Sequence, residues 1–117
     1  MGDYGIGTTW GEVKPGREQQ AIDLFMDAAT MNEKAVADGR IERWDAVMFE
    51  PNGSGPAGAM RAYGTDEQIE AFVRTDEFRE VLMKAELMLA NVGYRRFVMG
   101  ESLMAQMGQF TQVLNNS

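Results

Sequence analysis

An α+β fold of order β-α-β-β-α-β, with four antiparallel strands in one sheet and two helices on one of its faces, is what this 117-residue sequence predicts. Three observations predict it. The stretch from Thr65 to Ala90 carries two helix-start signals in succession and an apolar stripe at helical spacing. The segment Pro51-Asn52-Gly53-Ser54-Gly55-Pro56 is the strongest turn signal in the chain and separates two short apolar runs. The opening segment from Tyr4 alternates residue types with the period of two that defines a strand.

Taken in order, Tyr4 to Val13 reads as the first strand, with Tyr4, Ile6, Thr8 and Trp10 on one side and Gly5, Gly7, Thr9 and Gly11 on the other. Glycine weakens a strand, so several on one face predict that another backbone, that of a helix, comes close there. Lys14-Pro15-Gly16 closes the strand. From Arg17 to Asp38 the set Ala21, Leu24, Phe25, Ala28, Met31 and Ala35 repeats at helical spacing, and Gly39 supplies the left-handed residue that ends the first helix. Ile41 to Glu50 contains Trp44 and then Ala46-Val47-Met48-Phe49 without polar alternation, which predicts a strand covered on both faces. Ala57 to Gly64 follows the turn as a strand antiparallel to it.

Thr65-Asp66-Glu67-Gln68 is a capping box, in which a threonine hydroxyl accepts an early backbone N–H while Gln68 reaches back to the cap. Thr75-Asp76-Glu77-Phe78 writes the signal again, so the spacing predicts a short helix, a jog at Arg74-Thr75, and a longer helix with Phe78, Val81, Leu82, Ala85 and Leu89 on its buried face. Asn91-Val92-Gly93 turns the chain into a fourth strand from Tyr94 to Leu103. Beyond it, Met104, Met107, Phe110, Thr111 and Leu114 recur every three to four residues, as a short amphipathic helix or as an extra strand added to a partner.

Composition bounds the function. The net charge of −7 argues against nucleic acid, whose phosphates need clustered Lys and Arg. No apolar run approaches the roughly 20 residues of a membrane span, and no basic segment leads into an apolar one at the start, so the expected location is the cytoplasm. With no Cys and no His, the chain offers no thiolate, no imidazole base and no axial haem ligand of that type. No Ser-His-Asp triad can be assembled within it, no metal constellation is visible, and no cofactor is expected.

The candidate site residues are Trp10, Trp44, Met48, Arg61, Tyr63 and Arg96. Each tryptophan can stack on a planar ligand and offer its N–H, or can simply fill a core or interface. Arg61 and Tyr63 share a face of the third strand. With Arg96 and Glu101 they form an expected polar cluster, read either as Arg–Glu ion pairing or as a set of ligand-orienting groups. Met48, Met60, Met99, Met104 and Met107 offer soft walls for a bulky ligand and equally suit a core or dimer seam. Asp45 and Glu50 lie in or beside an apolar strand, as general-base candidates if buried and as solvated charges if at strand ends.

The element order, the strand leading into Val13-Lys14-Pro15-Gly16-Arg17-Glu18, the two-part helix through Thr75-Asp76-Glu77-Phe78 and the last strand from Gly93 together resemble the dimeric α/β-barrel (ferredoxin-like) superfamily, in particular proteins of the antibiotic-biosynthesis monooxygenase type. The resemblance implies a domain over 1–103 whose sheet packs face to face with that of a second copy, and a tail over 104–117 that packs on this partner. It also implies a pocket for a small apolar or aromatic ligand. The activity it suggests is a cofactor-independent, monooxygenase-like reaction, the alternative being a binding or structural homodimer whose pocket its own side chains fill.

Overall fold

The computed structural model describes residues 2–51 and 55–117, so the predicted turn keeps Pro51, Gly55 and Pro56 in view while 52–54 lie outside the described residues. In chain order the elements are β1 (Tyr4–Trp10), α1 (Glu18–Ala37), β2 (Arg43–Met48), β3 (Gly58–Gly64), α2 (Asp66–Val73), α3 (Asp76–Met88), β4 (Gly93–Val98) and α4 (Gly100–Asn115). The strands form one antiparallel sheet in the order β2-β3-β1-β4. This is the ferredoxin-like α+β arrangement.

The helix boundaries follow from local chemistry. α1 ends in a Schellman motif: Gly39 takes φ +75°, its N–H donates to the Val36 carbonyl at 3.1 Å, and the Arg40 N–H donates to the Ala35 carbonyl at 2.8 Å. α2 starts in the predicted capping box. The Gln68 N–H donates to Thr65 Oγ1 at 3.1 Å, and the Thr65 N–H donates to Gln68 Oε1 at 2.8 Å. At the jog, Thr75 Oγ1 donates to the last turn of α2 at the Phe72 carbonyl (2.8 Å) and accepts the Phe78 N–H of α3 (3.2 Å), so one hydroxyl closes a helix and opens the next.

α1, α2 and α3 pack on one face of the sheet. Ile6, Ala35, Ile41, Ala62, Ile69, Phe72 and Phe78 form the buried cluster between the two layers. Because side chains alternate along a strand, the register fixes which residues can meet. Trp44, Ala62, Ile6 and Arg96 lie in one row on the helix side. Asp45, Arg61, Gly7 and Arg95 form the next row on the open side, and Arg43, Tyr63, Gly5 and Phe97 another.

Two expectations are corrected. The close neighbour of the β1 glycines is not a helix: the Phe97 ring lies over Gly5 on the open face, where a Cβ would collide with it. β4 stops at Val98 instead of running to Leu103, because Gly100 turns the chain at φ +61° and α4 begins. Its cap comes from the far end of the sequence. The Asp3 carboxylate accepts both the Ser102 N–H and the Ser102 hydroxyl at 3.1 Å, and the Asp3 carbonyl accepts the Met99 N–H at 2.8 Å. The open side of β2 carries Arg43 and Asp45 beside Val47.

Of the two readings of the tail, the helix is the one observed, and it spans the 103/104 boundary. None of its residues is buried; Met104, Met107, Phe110, Val113 and Leu114 are exposed.

Candidate functional site: an apolar cavity between sheet and helices

The helix-facing side chains do not fill the space they enclose. Between β1, β3, α1 and α3 lies a cavity of about 440 Å³, within the range of small-molecule sites. β1 contributes Ile6, Thr8 and Trp10; β3 contributes Met60 and Ala62; α1 and α3 close it with Leu24, Phe25, Phe78 and Leu82. The space exists because three buried positions that face it, Ala28, Ala62 and Ala85, carry methyl groups. Trp10 stands edge-on to Phe25 with ring centroids 6.2 Å apart. Met48, Ile22 and Val13, all exposed, mark where the cavity opens to solvent.

Polar groups are few in this wall: Thr8, Asn32 and, on an exposed position at the first turn of α1, Glu18. Asn32 is the notable one. It is 3% exposed, the single buried polar residue among the described residues, and its side-chain amide makes no hydrogen bond to any of them. No described side-chain nitrogen or oxygen is both sealed from solvent-sized space and unpartnered, so the Asn32 amide retains access to the cavity it lines.

The candidates from the sequence separate into three places. Trp10 and Met48 line the cavity, and so does Met60. Trp44 and Arg96 sit at the two ends of the Ile6 row, and both commit their polar tips to helices. Trp44 Nε1 donates to Glu33 Oε1 of α1 at 2.7 Å, and the Arg96 guanidinium donates to the Asp66 and Glu70 carboxylates of α2. Arg61 and Tyr63 are on the opposite side of the sheet. There, Asp45 accepts Arg61 Nε at 2.8 Å on one oxygen and the Tyr63 hydroxyl at 2.9 Å on the other. Arg43 lies over the Tyr63 ring, 3.7 Å from its centroid, and Phe97 meets that ring edge-on at 5.6 Å.

The expected cluster of Arg61, Tyr63, Arg96 and Glu101 therefore does not form. An even residue and an odd neighbour on paired strands point through opposite faces, and Glu101 belongs to α4. The partner of Arg61 is Asp45, directly across the β2–β3 ladder, in place of a glutamate. Burial, and then the hydrogen bond to Asp45, push the Tyr63 phenol above its usual range; the hydrogen bond to Asp45 likewise raises Arg61. Glu50 follows β2 as an exposed charge.

The sequence held a signal for Asn32 that the stripe reading passed over. Position 32 is one turn after Ala28 and belongs to the same buried face, so a polar residue there interrupts an otherwise apolar set. Chemically, the wall offers neutral hydrogen-bonding groups within a greasy surround. A charged ligand would lose its hydration there without a counter-charge, whereas a neutral apolar one would not. Among the described residues no three His, Cys, Asp or Glu side chains converge as metal ligands, and no described helix is long and apolar enough to cross a membrane.

No family model matches the chain, and no curated protein does. Solved structures do. The hydroxynitrile lyase of Passiflora edulis superimposes with a TM-score of 0.66 at 12% identity, over 86% of this chain and 97% of that one. A dimeric ferredoxin-like protein of unknown function from Thermobifida fusca gives 0.64 at 12% identity, over 85% and 93%. A proposed antibiotic biosynthesis monooxygenase from Deinococcus radiodurans gives 0.58 at 9% identity, over 84% and 92%. At such identities the likeness establishes the fold, which is the one the sequence resemblance implied.

Proposed function

We propose that this chain is a small-molecule-binding protein that holds a neutral apolar or aromatic ligand in the cavity between its sheet and helices, and that it works as a homodimer. The observation that carries the reading is the cavity itself: about 440 Å³ left open behind three alanines. A protein that used this layer only for stability would gain by filling it, since buried voids forfeit both transfer energy and contacts. The same observation argues against a dimer whose pocket is closed by its own side chains.

The dimer is supported by the likeness to the dimeric Thermobifida fusca protein and by two uncovered surfaces. One is the open face of the sheet, where Phe97, Val47 and Ala59 accompany the arginines. The other is α4, whose Leu103, Met107, Phe110 and Leu114 repeat at spacings of four, three and four, the seam of a helix that pairs with another. Glu101 is the one charged residue of α4, so two copies of this helix can meet without strong repulsion even at a chain charge of −7. We place α4 against the partner copy on these grounds.

A second reading makes the cavity catalytic, as a cofactor-independent monooxygenase-like site. It is supported by the fold shared with the Deinococcus radiodurans protein and by a neutral amide placed to donate to a substrate oxygen in a water-poor setting.

N-phenyl-1-naphthylamine, a neutral aromatic dye that brightens in apolar surroundings, tests the binding reading. Saturable binding of one dye per chain, with a rise in melting temperature, is expected; at a hundredfold excess over Kd the stabilisation is about 2.7 kcal/mol. No saturable signal refutes it. Sedimentation of the wild type as a dimer and of Phe110→Glu as a weaker one tests the assembly, and a single chain at micromolar concentration would overturn it.

A further inference from the structure

We infer that Asn32 is the specificity-determining residue of the cavity, and that the ligand class is a neutral molecule with an apolar body bearing an uncharged oxygen function, a carbonyl or a hydroxyl, that pairs with the Asn32 amide. This rests on the cavity being the binding site and goes further by saying what the site selects.

A side-chain amide has two donors and an acceptor oxygen, and burying it without partners is unfavourable. Asn32 is 3% exposed, in the middle of α1, on the stripe that also carries Leu24, Ala28 and Ala35. A leucine there would suit both the helix and the core better. No described residue offers the amide a partner, and no sealed orphan atom results, so its hydrogen-bonding capacity is directed at the space enclosed by Ile6, Trp10, Ala28 and Ala62. The polarity is therefore deployed toward whatever occupies the cavity.

The chemistry of the occupant follows from the rest of the wall. Among the described residues lining the cavity there is no buried cation or anion to compensate a charge; Glu18 is exposed at the edge and would repel an anion entering beside it. Apart from Thr8, Asn32 and the mouth marked by Met48, Ile22 and Val13, the body of the ligand meets aromatic and aliphatic carbon. One neutral oxygen satisfies an amide donor if it is a carbonyl, and a donor or the acceptor if it is a hydroxyl. A hydrocarbon of the same shape would leave Asn32 desolvated and unpaired, and a site built around a hydrogen bond discriminates strongly against the analogue that lacks it.

The test is competition against bound N-phenyl-1-naphthylamine by three compounds of similar size: 1-acetylnaphthalene, 1-(1-hydroxyethyl)naphthalene and 1-isopropylnaphthalene. Wild-type protein is expected to favour the ketone or the alcohol over the hydrocarbon by about tenfold or more. Asn32→Leu is expected to erase that preference, chiefly by weakening the oxygen-bearing ligands, while the hydrocarbon binds as well as before or better. The variant should also melt higher, because it removes an unpaired buried amide; Asn32→Ala provides the same comparison if leucine overfills the site.

A preference that survives both substitutions overturns the assignment. So does a wild type that binds all three equally, though the cavity would then stand as the binding site. Failure of the dye and all three compounds to bind overturns the cavity reading along with it.

Discussion

Partly filling the cavity from α1 should stabilise the protein and weaken ligand binding in a single change. Ala28 is the position of choice: it is 6% exposed, lines the space, and lies one turn before Asn32 on a helix that tolerates leucine. Ala28→Leu adds three carbons to space that is already enclosed, worth about 2.4 kcal/mol at ~0.8 kcal/mol per buried carbon. Ordering the new side chain costs about 0.5–1 kcal/mol. The net gain is about 1.5 kcal/mol, and at about 4 °C per kcal/mol for a chain of this size the melting temperature should rise by ~6 °C. Differential scanning calorimetry reads the stability, and dye titration reads the binding. A fall in melting temperature would mean that the walls leave no room at Ala28, since overpacking costs about 1–3 kcal/mol. A more stable variant that still binds dye with unchanged affinity would place the ligand elsewhere and refute the reasoning from the other side.

Thr65→Ala removes the capping hydroxyl of α2 and strands the Gln68 N–H, and is expected to cost about 1 kcal/mol, read as a lower urea midpoint with unchanged slope. Asp3→Ala removes the carboxylate that caps α4 from the other end of the chain; amide exchange over Ser102 and its neighbours should accelerate, while the global melting point moves little, because no residue of α4 is fully buried in its own chain. Tyr63 gives an alkaline signature. Its phenol is raised in the fold, so the unfolded chain releases that proton first, and the stability it contributes is present below about pH 10 and declines as pH climbs through the folded value. Thermal melts between pH 9 and 11 should steepen downward in the wild type and less so in Tyr63→Phe.

The parts of the fold legible in the sequence were those encoded by neighbours in the chain. Thr65 with Gln68, Thr75 with Phe78, and Gly39 after Ala35 each declare a helix end within a few residues, and each is found where its pattern put it. The end of β4 was not legible, because the residue that caps α4 is Asp3, which no local window includes. Arg96 was misplaced for a different reason. Its strand alternates correctly, but which face meets the helices is set by pairing with β1, where Ile6 stands opposite. The cavity was half legible: the α1 and α3 stripes name its walls, yet an alanine on a stripe reads as core until three of them are seen to face one space. Asn32 announced itself as the lone polar residue on that stripe, a pattern with meaning only once burial is known.

The sheet thus divides the chemistry of the chain into two compartments that a sequence reading merges. Arg61, Tyr63 and Asp45 are joined to one another and, through Arg43 and Phe97, to the open face; Trp10, Met48 and Asn32 belong to the cavity on the other side of the same strands. In the proposed homodimer the open face is the contact surface, so the arginines there act on assembly and the cavity acts on ligand. Asp45 meets Arg61 and Tyr63 within one chain, which leaves Arg43 and Arg95 as the cationic groups without a carboxylate partner among the described residues on that face. Two copies that bring such faces together must interleave these guanidinium groups with aromatic rings, as Arg43 already does on Tyr63, or with the partner's carboxylates. Substituting Arg61 would therefore disturb how copies meet while leaving the ligand's surroundings intact, because alternation along β3 sends it through the face opposite Met60 and Ala62; substituting Asn32, on the α1 side of the sheet, would do the reverse.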